Sequence, residues 1–358
     1  MGFKCGLVGM PNVGKSSIFN LLTQQSIPAS NYPFCTIDPN VAYVEVPDNR
    51  LKALATINNS KNIINASIEF VDIAGLIKGA SKGEGLGNEF LSHINSTDVI
   101  AHVVRFFKDK EIIHVKGECN PVDDFHDINL ELILSDLNTV QKYYERFKKS
   151  KTDHKEKSLI LDELNCLINH LSNDKFASSF EYTDRLNILT DLKLLTKKPM
   201  FIIANVNEGT SKGDIDNFLS SLNSKIQSVS VNVKLEQEIS SLNTEDQKEF
   251  LDEIGENESA LSRIIKTGYE LLGLKTFFTS GEKETKAWAA KKDFNASDCS
   301  GIIHSDIKKG FIRAETVSYN DYIQHNGEQG SKSNGAWRQE GKDYIIQEGD
   351  VVYFRFNL

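Results

Sequence analysis

Apolar residues along the chain fall into short unbroken runs and into helical spacings. FKCGLV near the amino terminus is an apolar run of strand length, and SSIFNLL beyond it puts Ile18, Phe19, Leu21 and Leu22 on a helical period. IEFVDIAGL and PMFIIA are two further strand candidates, so the pattern is that of an α/β domain. From about residue 128 to 197 the chain turns polar and rich in Lys and Glu, with Leu130, Leu134, Leu137, Tyr144 and Phe147 at near-heptad spacing. Leu164, Leu167 and Leu171, then Leu189 and Leu192, continue it, which predicts two or three amphipathic helices, most simply a coiled-coil hairpin. The last segment changes again, to short β-rich runs (KTFFTS, FIRAET, YII, VVYFRF) between Gly and charged turns, with a helix-like YNDYIQHN among them. The predicted organisation is an α/β domain over 1–127 and 198–275, a helical insertion over 128–197, and a compact α+β module over 276–358.

Composition narrows the function classes. A net charge of −9 argues against bulk attraction to nucleic acid, so no DNA partner is expected and any RNA contact must use a local basic face. KYYERFKKSKTDHKEK, at the expected tip of the hairpin, is such a face. The amino terminus lacks the features of a secretory signal, and no apolar run approaches membrane-spanning length. Five cysteines are dispersed without CxxC pairs or zinc spacing, which reads as reduced thiols in a cytoplasmic protein.

The strongest chemical signal is GMPNVGKS, Gly9 to Ser16, which satisfies G-x-x-x-x-G-K-[ST] between an apolar strand and a helix. In such a loop backbone amides close around phosphate oxygens, Lys15 neutralises the β- and γ-phosphates, and the Ser16 hydroxyl ligates Mg2+. Asn12, Val13, Gly14, Lys15, Ser16 and Ser17 are therefore the expected phosphate-binding residues. IEFVDIAGL ends in D-x-x-G about 55 residues further on, which places Asp72 near the metal and Gly75 near the γ-phosphate. Thr36, in the loop NYPFCTIDPN, supplies a further candidate hydroxyl for Mg2+.

GLIKGASKGEGLGNEFL carries glycines at 75, 79, 83, 85 and 87. Together with the P-loop and PFCTIDPN, this segment closely resembles the Obg family of P-loop NTPases, in particular its YchF subfamily of Obg-like ATPases. The resemblance extends to the carboxyl-terminal GIIHSDIKKGFIRAETV and EGKDYIIQEGDVVYFRF. It implies a Ras-like G domain with an inserted helical hairpin and a terminal TGS domain of β-grasp fold. It also implies contact with the ribosome or its large subunit through the hairpin tip and the TGS domain.

Relatives of this lineage that bind GTP read guanine with N-K-x-D after a strand, whereas here PMFIIA leads into NVNE, residues 205 to 208. Val206 replaces the lysine that flanks the base, and the carboxylate of Glu208 is one methylene too long to stand where Asp would. Each lost charged hydrogen bond, about 1.5–3 kcal/mol, removes roughly ten- to a hundredfold of guanine preference, and adenine loses nothing by the change. Asn205, Val206 and Glu208, with Asn232, Val233 and Lys234 of VNVKLEQEI, are the expected surroundings of an adenine. Leu76 stands where Ras-like enzymes carry a water-orienting glutamine, and the resemblance proposes His114 in that role, with Lys15 and Gly75 completing the catalytic set. It also makes Asn12 a candidate ligand for K+.

These expectations converge on a slow ATPase whose nucleotide state regulates a ribosome-associated event. A translation GTPase is one alternative. A nucleotide-sensing binding protein, for which hydrolysis is incidental, is the other.

Overall fold

A computed structural model of the chain describes residues 3–24, 40–73, 86–107, 117, 119–151, 154–183, 186, 192–222 and 225–357. In chain order, β1 (Lys4–Val8) leads through a loop into α1 (Lys15–Gln24), followed by β2 (Val41–Glu45), α2 (Arg50–Asn58), β3 (Asn62–Ile64), β4 (Ser67–Asp72), α3 (Leu86–Asn95) and β5 (Val99–Arg105). Two long helices, α4 (Pro121–Lys148) and α5 (His154–Ser172), intervene before β6 (Met200–Asn205), α6 (Lys212–Ser221), β7 (Gln227–Val231), α7 (Val233–Ser241), α8 (Thr244–Glu253) and α9 (Ala260–Leu271). The remainder is β8 (Leu274–Ser280), β9 (Glu284–Lys291), α10 (Ala296–Ile303), α11 (Ser305–Lys309), β10 (Phe311–Ser318), α12 (Tyr319–Gln324), α13 (Glu328–Ser333), β11 (Arg338–Glu340) and β12 (Asp350–Phe356).

The α/β expectation holds. Six strands form one sheet in the order β2-β4-β1-β5-β6-β7, parallel except for the antiparallel edge strand β2. Every residue of β5, and all but the first of β1 and β6, is buried, because helices cover both faces of a parallel sheet. The register aligns Val8 with His102, Arg105 with Asn205, and Asn205 with Val231. The carboxyl ends of these strands thus meet at one sheet edge, where open α/β sheets bind ligands.

The helical insertion is a hairpin whose arms share an apolar core that includes Val140, Phe147, Leu164 and Leu167. Its first arm differs from the predicted one. It starts at Pro121, where Asn120 accepts from the amides of Val122 and Asp123 and proline occupies the first turn. Its buried face is Phe125, Ile128, Leu132, Ile133, Asp136, Val140 and Phe147, whereas Leu134 is exposed and Leu130 and Leu137 are half-buried. The physical reason is that this helix has two partners. Phe125, Ile128 and Leu132 pack into the cores around the sheet, and Ile133, Val140 and Phe147 pack into that of the hairpin. At the tip, Tyr143 stacks on Phe147 with centroids 5.9 Å apart and Tyr144 packs on the hairpin core, so these rings serve the hairpin's packing. Leu189 lies outside the described residues.

A second sheet, β11-β10-β12-β8-β9-β3, forms the carboxyl-terminal unit. Two antiparallel pairs, β8–β9 and β10–β12, join through the parallel contact of β8 with β12, and α10 packs beneath them, the arrangement of a β-grasp. One of its two edge strands is β3, from the amino-terminal half, paired parallel with β9. Asn58 donates to Ser280 Oγ at 2.7 Å, Tyr322 donates to Asn58 Oδ1 at 2.9 Å, and Arg50 bridges Glu348 at 2.7 Å. These contacts seat the unit on α2.

Candidate functional site

The loop from β1 to α1 is built around two close approaches. A Cβ on Gly9 would stand 2.7 Å from the Val103 carbonyl, so the loop leaves the sheet pressed against β5. Gly14 adopts φ +93°, and a Cβ there would stand 2.1 Å from Asn205 Nδ2. Asn12 also lies in the left-handed region, with φ 63°. The Asn205 amide, 3% exposed, donates to the Val13 carbonyl at 2.8 Å, tying the end of β6 to the loop. Val13 itself is buried in the core, and Ile18 N–H closes the first helical turn onto the Gly14 carbonyl at 3.0 Å.

At the start of α1 the buried Lys15 ammonium pairs with Asp72, the last residue of β4, through Oδ1. The Ser16 hydroxyl lies 3.4 Å from the other carboxylate oxygen. A lysine, a hydroxyl and a carboxylate from two elements therefore converge beside the glycine loop. A hydroxyl and a carboxylate are hard oxygen donors, the kind Mg2+ takes while keeping waters and phosphate oxygens as its other ligands. Among the described residues no group of three or more His, Cys, Asp or Glu side chains is arranged to hold a metal, so a protein cage is not the arrangement present.

The cavity above this cluster has a volume of about 660 Å³. The end at the β1–α1 loop is lined by Met10, Pro11, Asn12, Gly14, Lys15, Ser16 and Ser17. Its other end is lined by Phe107, Asn205, Val206, Asn207, Asn232, Val233, Lys234 and Gln237. Val206 N–H bonds to the Val231 carbonyl at 2.9 Å, which keeps the NVNE turn in register with β7. Asn207 Oδ1 accepts from Gly209 N–H at 3.2 Å and from the Thr210 hydroxyl at 3.0 Å, fixing that turn. Asn232 caps α7 by accepting from Leu235 N–H at 3.4 Å. Behind α7 the buried carboxylate of Glu236 accepts from the amides of Ala260, at 2.7 Å, and Leu261, and desolvation holds its pKa above the usual carboxylate value. That bond anchors α7 to α9.

Lys15 and Ser16, both in contact with Asp72, thus line one end, and Asn205, Val206, Asn232, Val233 and Lys234 the other. Glu208 is exposed and does not line the cavity, whereas its neighbour Asn207 does. Thr36, Gly75, Leu76 and His114 lie outside the described residues. Phe107, Met10, Pro11 and Gln237 were not among the sequence-predicted residues. Phe107 had a usable signal, since it follows the strand beside β1 and so falls at the same sheet edge as the P-loop.

Residues 4–139 match a family profile described as a 50S ribosome-binding GTPase, and residues 274–357 match the carboxyl-terminal profile of YchF GTPases, described as a protein of unknown function. Among curated proteins, the ribosome-binding ATPase YchF of Bacillus subtilis is 47% identical over 368 residues, with all of both chains covered. That of Haemophilus influenzae is 47% identical over 363 residues, again with both chains fully covered. Among solved structures, the YchF GTPase of Schizosaccharomyces pombe superposes with a TM-score of 0.88 at 33% identity, covering 99% of this chain and 98% of that one.

Proposed function

Because the chain belongs to the YchF family of P-loop nucleotide hydrolases, whose relatives above are named ribosome-binding ATPases, we propose that it is a ribosome-associated ATPase that prefers ATP over GTP. The observation that carries the reading is one cavity with Lys15, paired to Asp72, and Ser16 at one end and Asn205, Val206, Asn207 and Asn232 at the other. Its phosphate end has the positive charge, glycine amides and hydroxyl that a triphosphate requires. Its base end offers the side-chain amides of Asn205, Asn207 and Asn232 beside the Lys234 ammonium. The described lining carries no carboxylate where N-K-x-D proteins present Asp to guanine.

In this reading Asn12, Val13, Gly14 and Ser17 shape the phosphate cradle, and Lys15 exchanges Asp72 for phosphate oxygens. Ser16 and Asp72 hold Mg2+, with Thr36 as a third oxygen ligand. Magnesium, when bound, neutralises charge on the transferring phosphate. Gly75 reports the γ-phosphate, His114 orients water in place of the glutamine that Leu76 replaces, and Asn12 is the residue we assign to K+. The hairpin tip and the carboxyl-terminal TGS domain supply the ribosomal contact, which places the protein in the cytoplasm.

The test is phosphate release from ATP by the full chain, with and without 50S subunits, in the wild type and a His114→Ala variant. Turnover of ATP faster than of GTP, lost in the variant, is expected. Equal binding of both nucleotides with no turnover under any condition would favour a nucleotide-sensing binding protein instead.

A further inference from the structure

Arg105, the last residue of β5, is among the bulkiest buried side chains, at 2% exposed. A guanidinium has five donors and a charge, so burying it is costly unless acceptors are arranged around it. Its Nε donates to the Phe107 carbonyl at 2.9 Å, and its plane lies over the Phe107 ring, 4.4 Å from the centroid. A longer contact, 3.4 Å, runs from Nη1 to the Asn12 carbonyl in the P-loop. The carbonyl of Arg105 in turn accepts from the Cys119 thiol at 3.2 Å.

We propose that Arg105 is a positioning residue for nucleobase recognition, holding Phe107 by backbone and ring together as the wall against which the base packs. Two features of one guanidinium are needed for this. The Nε–H fixes where the Phe107 backbone leaves the strand, and the flat cation fixes the ring. A lysine in its place keeps the charge but supplies neither the Nε donor nor the plane. The bond to Phe107 has the ordinary length and that to Asn12 is at the limit of hydrogen bonding, so of these two contacts the one to Phe107 is the stronger. The inference rests on the reading of this cavity as a nucleotide site.

The experiment is calorimetric binding of ATP and of inorganic tripolyphosphate, both with Mg2+, to the full-length wild type, Arg105→Lys, Phe107→Leu and the double variant. Arg105→Lys is expected to weaken ATP on the order of tenfold while tripolyphosphate stays within about twofold. The double variant should be no weaker than Phe107→Leu, since the arginine works through that ring. Equal losses for both ligands, or additive losses for ATP, would overturn the proposal. In the wild type, where folding is not in question, the Arg105 Nε–H resonance should move with ATP and hold still with tripolyphosphate; movement with both would also overturn it. If the wild type bound ATP no tighter than tripolyphosphate, the nucleotide-site reading itself would fail, a result distinct from an intact preference that ignores Arg105.

Discussion

The side-chain amide of Asn205 donates to the Val13 carbonyl at 2.8 Å and occupies the space into which a Gly14 side chain would grow. The first residue of the base-reading motif is thereby also a brace for the phosphate loop. Replacing Asn205 by Ala should remove a buried hydrogen bond of about 1–2 kcal/mol and weaken ATP roughly tenfold. Gly14→Ala should do worse, because it adds a left-handed strain to a clash with Asn205. Calorimetric titration of both variants, with far-ultraviolet circular dichroism to confirm folding, measures this. Full affinity in Gly14→Ala would contradict it.

The pairing of Lys15 with Asp72 makes a prediction about metal dependence. Asp72→Asn should keep the lysine free for phosphate yet blunt the gain in ATP affinity that Mg2+ brings. Lys15→Ala should reduce affinity with and without the metal, by about 1.5–3 kcal/mol for each charged bond lost. Binding isotherms across a magnesium series distinguish the two. Identical behaviour of the variants would count against separate roles.

His102 sets a pH dependence of stability. It lies on β5, 1% exposed, stacked on Phe125 of α4 with centroids 4.8 Å apart, and burial pushes its pKa down to about 3. The unfolded chain takes up a proton near the ordinary histidine value of 6.5, whereas the folded chain does not until the lower value. The contribution is therefore complete above pH 6.5 and is lost as pH falls from there towards 3. Between about pH 6.5 and 5 the wild type should lose about 2 kcal/mol more than a His102→Phe variant, read from urea midpoints. Parallel pH profiles would refute this.

Asp136 joins the hairpin to the strand that carries the base motif. Only 1% exposed on α4, it accepts from Leu195 N–H at 2.7 Å, Thr196 N–H at 2.8 Å and the Thr196 hydroxyl at 2.6 Å, just before β6. Asp136→Ala leaves three buried donors without their acceptor and should cost about 3 kcal/mol or more. Asp136→Asn, which retains one acceptor oxygen, should cost less. Denaturant titration that found both neutral would contradict this account of the junction.

What was legible in the sequence was local. The run ending at Val8, the glycine loop and the helical spacing of Ile18 to Leu22 each point to one structure, so β1, the P-loop and α1 emerge together. Asp72 was legible because the D-x-x-G motif begins at the residue where the apolar strand ends. The heptad reading found the hairpin, with Phe147 in its core and Leu137 and Tyr144 packed against it, but missed on Leu130 and Leu134, because the buried face of α4 is chosen by two different partners, the sheet and α5. The pairing of β3 with β9 carries no local signature, since Asn62 and Glu284 meet only once both halves have folded. Glu208, expected beside the base from its place in the motif, is absent from the cavity lining, which takes Asn205, Val206 and Asn207 from that segment instead. Phe107 and Arg105 went unnoticed because their significance comes from the sheet order, which puts β5 between the P-loop strand and the NVNE strand.

The most direct test of the central claim is titration calorimetry of ATP and GTP into the magnesium-loaded protein at matched potassium. The account predicts ATP tighter by about tenfold or more, in keeping with at least one lost guanine bond. Equal or tighter binding of GTP would contradict the reading of NVNE and make this chain a translation-associated GTPase.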